Sequence, residues 1–202
     1  MDPQQATRTL EVIRTMMERT CQYQLLTARA GIAAGSLAGI GALLFTVLDA
    51  TNPGHFAAIW TLVFVGSLVA SVVGTVMAGR ERGERVWSRP ARTVVLALSP
   101  SLLAALVLSV YFFARREHLL LPGIWMLCYG QGALATAAYS PPAIRWLGVS
   151  FLITGTVTLW LGPAWAILMM GLSFGLGHVV LGVFLLVTER RAASIRLHRT
   201  VA

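Results

Sequence analysis

Long apolar runs separated by short breaks rich in arginine, glycine and proline make up most of this chain. Crossing about 30 Å of hydrocarbon takes about 20 mainly apolar residues in helical form. Six stretches meet that length: approximately Ala28 to Leu48, His55 to Ala78, Thr93 to Phe113, Leu119 to Ser140, Ala143 to Leu161, and Ala164 to Val187. The breaks carry helix-ending chemistry: Asn52-Pro53-Gly54, the segment from Arg80 to Arg92, Arg115-Arg116-Glu117, Pro141-Pro142 and Gly162-Pro163. The pattern predicts an all-α polytopic integral membrane protein, a six-transmembrane-helix bundle. Ahead of the first run, Leu10, Ile13, Met17 and Cys21 recur at spacings of three and four, with Arg8, Glu11, Arg14 and Glu18 mainly off that stripe. This predicts an N-terminal amphipathic helix that lies on the membrane surface or docks a cytoplasmic partner. The expected organisation is an interfacial segment over 1–27, a membrane domain over 28–187 and a basic cytoplasmic tail over 188–202.

Composition strengthens this picture. Only 12% of residues are charged and 56% are hydrophobic, whereas a soluble domain carries about 25% charged residues. The formal net charge is +8, and every one of the 16 basic residues is arginine. With six spans, one side holds the N-terminal segment, the second and fourth loops and the C-terminus, and so carries 14 of them; the other side holds only Arg115 and Arg116. The positive-inside rule then puts both termini in the cytoplasm. Arginines confined to the ends of apolar runs serve topology, so nucleic acid is not an expected partner. Cys21 and Cys128 fall at different positions relative to the membrane, which argues against a disulfide between them, and no CxxC metal spacing exists. Met1 to Gln24 lacks the apolar core of a cleavable signal peptide.

Gly31, Gly35 and Gly39 repeat along the first span, and Gly171, Gly175, His178 and Gly182 share a face of the last. Small residues let helix backbones approach closely where lipid supplies little hydrophobic drive. Trp60, Trp87, Trp146 and Trp165 fall near span ends, where aromatic belts are expected. Pro100 lies inside the third span, and Ser99 and Ser101 beside it can bond the carbonyls it frees.

His178 is the side chain hardest to explain by packing alone. It sits roughly 21 Å into the last span, where an ionisable group is costly and is a functional candidate by default. Gln131, in the fourth span, lies roughly 18 Å down from the same side, so the two depths match. One reading is a Gln131–His178 hydrogen bond that joins two helices. The other is a small polar pocket lined by Tyr129, Gln131 and His178, where an imidazole would ligate haem or a metal, bond a quinone or relay a proton. His55 and His118 are expected near the outer surface and His198 in the tail, so a second axial ligand at that depth is missing. No catalytic triad, paired intramembrane carboxylates, phosphate loop or zincin motif occurs.

The run Trp125-Met126-Leu127-Cys128-Tyr129-Gly130, the run Phe174-Gly175-Leu176-Gly177-His178 with Gly182, and Leu10-Glu11-Val12-Ile13-Arg14 with Met17-Glu18-Arg19 resemble segments of a family of small bacterial six-span inner-membrane proteins. That family is uncharacterised, so the resemblance implies a bacterial inner-membrane address and no activity. Similar proteins accompany small cytoplasmic winged-helix regulators, which implies a regulatory setting. The functional expectation is a non-enzymatic membrane protein of structural, sensory or regulatory type, engaging a cytoplasmic partner or lipid and able to self-associate. The alternatives are a small-molecule, quinone or haem-binding protein with its site at His178, Gln131 and Tyr129, and a small-solute transporter.

Overall fold

A computed structural model describes residues 28–48, 52–83 and 85–201. The amphipathic segment expected before Ala28, with Cys21, lies outside the described residues. Among the described residues seven α-helices form six spans: α1 (Ala28–Val47), α2 (Pro53–Arg82), α3 (Arg89–Ala114), α4 (Leu121–Thr136), α5 (Ala143–Leu161), and a last span built from α6 (Pro163–Met170), a π-helical turn (Gly171–Gly177) and α7 (His178–Val201). Short 3-10 turns at His118–Leu120 and Ala137–Tyr139 extend α4 at both ends. All six spans are long and apolar enough to cross a membrane. The chain is an all-α, multi-pass membrane protein.

The breaks act as their residues dictate. The Asn52 side chain accepts hydrogen bonds from the backbone N–H groups of Gly54 at 2.8 Å and His55 at 3.4 Å, and Pro53 opens α2 without needing a donor. Ser88 caps α3 in the same way through Ala91 N at 3.4 Å. Gly83, at φ 65°, closes α2 in the left-handed conformation that a side chain would resist. Gly162, at φ 83°, divides the fifth span from the sixth. Pro100 leaves the Leu96 carbonyl without its usual N–H, and the Ser99 hydroxyl donates to that carbonyl at 3.0 Å. Of the two serines expected to serve this purpose, Ser99 does so.

The spans form two triplets. In one, α1 packs between α2 and the last span; in the other, α4 packs between α3 and α5. The last span also rests on α4 and α5 and so joins the triplets. Two glycine seams allow this closeness. A Cβ added at Gly35 would stand 2.6 Å from the Gly175 carbonyl oxygen, and one at Gly182 would stand 2.7 Å from that of Ala28. Between α4 and α5 the contacts are reciprocal: a Cβ at Gly130 would lie 2.9 Å from the Gly148 oxygen, and one at Gly148 would lie 3.0 Å from the Gly130 oxygen. Gly123 and Gly155 repeat this relation one heptad away. By contrast α2 and α3 are peripheral, and of α3 only Ala91 is buried.

One expectation changes. Trp60 is no belt residue: it is 4% exposed, packed on Phe56 inside a cluster with Phe45, Ile59, Leu121 and Met170. Trp87, Trp146 and Trp165 are exposed as expected. α7 continues through Val187 to Val201. On α4, the side that carries Trp125 and Gly132 turns to α3. Trp125 Nε1 donates to Ser109 Oγ at 2.8 Å, and a Cβ on Gly132 would meet Leu98 and Ser101.

Candidate functional site

The interior of the bundle is closed by four rings from three spans. Tyr129 of α4, Phe151 of α5, and Phe174 and His178 of the last span all touch one another. Centroid separations run from 4.7 Å for Phe151–Phe174 to 6.0 Å for Phe174–His178. Phe174 lies in the π turn and His178 follows it four residues on, and their ring planes are 7° apart. Gly171, Gly175 and Gly177 lie within this turn, and Gly175 and Gly171 keep facing α1 while the His178 ring turns toward α4 and α5. On a uniform α-helical reading His178 belongs to the glycine stripe; in the structure its ring leaves it.

The Tyr129 hydroxyl stands 2.8 Å from His178 Nε2. His178 Nδ1 is enclosed and has no hydrogen-bond partner among the described residues. A phenol donates to a bare Nε2 or accepts from a protonated one, so the direction of the bond follows the tautomer. Nearby, Ser173 Oγ donates to Thr154 Oγ1 at 2.9 Å, and Thr154 Oγ1 in turn donates to the Ser150 carbonyl at 2.9 Å. The polar atoms at this depth are thus tied across α4, α5 and the last span.

Of the three side chains expected together, the structure joins Tyr129 to His178 and separates Gln131 from both. Gln131 is exposed on the outer face of α4. Two residues turn a helix by about 200°, so Tyr129 and Gln131 must point to opposite sides. The Gln131–His178 bond gives way to Tyr129–His178 for that reason. Depth matching looks only for polar or ionisable partners of a histidine, which passes over Phe151; Thr154 and Ser173 give no signal because a hydroxyl within a span ordinarily bonds a carbonyl of its own helix, as Thr154 does with Ser150. The signal for Phe151 was its position between Gly148 and Gly155 on the packed side of α5. A quinone or haem bound at His178 would have to displace the phenol from Nε2 and open the four-ring cluster.

A second histidine is more fully enclosed. His118, expected near the outer surface, is 5% exposed. Its ring stacks on Phe113 at 5.8 Å and meets the Phe56 ring edge-on at 5.3 Å, while neither nitrogen has a partner among the described residues. The Trp60 indole N–H in the same cluster also has none among them. His55 is exposed. Among the described residues no group of three or more His, Cys, Asp or Glu side chains is placed to hold a metal ion.

At the opposite, arginine-rich end a groove of about 310 Å³ runs between α1, α2 and α7. Ala33, Gly74 and Met77 form its walls, with Arg29, Glu81 and Glu189 also lining it. At this end of the spans Arg29, Arg80, Arg85, Arg89, Arg92, Arg145, Arg190 and Arg191 are all exposed, whereas the other end has Arg115 and Arg116. No family model matches the sequence, and neither a curated protein nor a solved structure matches it.

Proposed function

We propose that this chain is a non-enzymatic regulatory or sensory protein of a bacterial inner membrane, with both termini in the cytoplasm, whose arginine-rich face engages an acidic cytoplasmic protein. The observation that carries this reading is the charge asymmetry. Among the described residues eight exposed arginines lie at one end of the spans, against Arg115 and Arg116 at the other. Such a field attracts anionic surfaces over about a Debye length, near 8 Å at physiological salt. The same arginines satisfy the positive-inside rule, and their exposure presents them to an approaching acidic surface as well.

Crosslinking in native membranes followed by mass spectrometry tests the reading. A partner should be recovered with the full chain and lost with the triple variant Arg85→Gln, Arg89→Gln, Arg92→Gln or on deletion of residues 1–24, while insertion persists. Recovery unchanged in both variants overturns it. A C-terminal reporter active only outside the cytoplasm overturns the orientation.

A second reading places a quinone- or haem-class ligand at Tyr129 and His178. It is favoured by the π turn, a feature common at functional sites, next to an intramembrane histidine. The absorption spectrum and organic extract of protein purified from its native membrane decide it. A Soret band or an extracted quinone, lost in His178→Phe, would support it; neither signal appearing removes it.

A further inference from the structure

Among the described residues Gln131 has no hydrogen-bond partner, and none of the described helices covers the face of α4 on which it stands. α3 takes the side of Trp125 and Gly132, α5 the side of Gly123 and Gly130, and the last span the side of Tyr129. The remaining face carries Gln131, Ala135 and Ala138, all exposed. Gln131 stands roughly 20 Å along the helix axis from the His118 end of its span and roughly 12 Å from the Tyr139 end. It is therefore deep in hydrocarbon and lacks the long stem with which arginine or lysine reaches the headgroups. Lipid tails offer its amide neither donor nor acceptor.

We propose that a second copy of this chain covers this face, with the two Gln131 amides hydrogen-bonded to each other across a two-fold axis along the membrane normal. The chemistry selects this occupant. A primary amide both donates and accepts, so it complements itself, and a two-fold contact sets each residue against its own equivalent or a near neighbour. Copies inserted in the same orientation carry Gln131 at the same depth, which a different protein would match only by coincidence. Ala135 and Ala138, one and two turns along, let the backbones approach closely enough for the short amides to meet.

Single-molecule photobleaching of labelled protein in lipid vesicles, over a series of protein-to-lipid dilutions, measures the association. Wild type should dimerise, Gln131→Leu should weaken the dimer about tenfold, and Ala135→Phe should weaken it by blocking approach. Gln131→Leu replaces an outward-facing side chain, so its unfolding midpoint should stay at or above that of wild type. In a Cys21→Ser, Cys128→Ser background, Gln131→Cys should form a disulfide between copies in native membranes, and Ile153→Cys, on the outer face of α5, should not. The proposal is overturned by a wild-type monomer at every dilution, by equal dimerisation of Gln131→Leu, by equal crosslinking at Ile153, or by a Gln131→Cys crosslink only to a different protein.

Discussion

The molecule sets two histidines in two aromatic cages, and the cages differ in one atom pair. His178 stacks on Phe174 with planes 7° apart, and His118 stacks on Phe113 with planes 15° apart. Each also meets a phenylalanine from another span, Phe151 for the first and Phe56 for the second. His178 has a hydroxyl at its Nε2, from Tyr129; among the described residues neither nitrogen of His118 is bonded. The shared rings show that both cages are held by dispersion and ring packing. The phenol shows that one of them is also a directional joint, fixing the rotation of α4 against the last span. An imidazole without partners behaves as a flat packing piece that carries a desolvation penalty of about 1–3 kcal/mol for each unsatisfied group.

The largest effect that separates the cages should come from removing His178. His178→Ala deletes a ring from a four-ring cluster and strands the Tyr129 hydroxyl, and about 3 kcal/mol of destabilisation is expected. Steric-trapping measurements in bicelles would read it, and a loss no larger than that of His118→Ala would erase the distinction. Tyr129→Phe keeps the packing and removes only the bond. It should cost about 1.5 kcal/mol, and combining it with His178→Phe should recover part of that loss. Simple additivity in that double-mutant cycle would show that the two side chains do not act as a pair.

His118→Phe tests the other cage with the opposite sign. It exchanges two unsatisfied nitrogens for an apolar ring of similar shape, so stability should rise by up to about 1 kcal/mol. A clear loss would mean that His118 holds a bond, to water or to another group, that the stacked rings do not reveal. The smallest effect belongs to Trp125→Phe, which breaks the bond to Ser109 between α4 and α3 and should cost about 0.6 kcal/mol, the average for hydrogen bonds between membrane helices. These differences rank a directional joint above a packed ring, and a core joint above a peripheral one.

Much of the fold was legible along the chain. Asn52-Pro53-Gly54, Ser88 and Gly162-Pro163 end or begin helices by local chemistry, and local chemistry needs no neighbours to operate. Pro100 announced its own remedy in Ser99. The site was legible only in part. Depth along a helix follows from counting residues, so His178 and the fourth span were correctly matched in level. Direction around the helix did not follow, because a stripe identifies a packed face without naming what it packs on. Tyr129 rather than Gln131 faces His178, and the side of α4 that carries Trp125 and Gly132 packs on α3.

The glycines mark the same boundary. Gly31, Gly35 and Gly39 are alike in spacing, yet a Cβ at Gly35 would press on the Gly175 carbonyl and one at Gly39 would meet nothing within 4 Å. By itself the sequence determined which segments lie in the membrane, how they begin and end, and which end bears the arginines, because solvation and backbone chemistry act residue by residue. Only the tertiary structure decided which glycines are indispensable, which histidine is bonded and which polar side chain is left facing outward. Those properties belong to pairs of surfaces, and helices far apart in sequence choose their partners by the fit of whole faces.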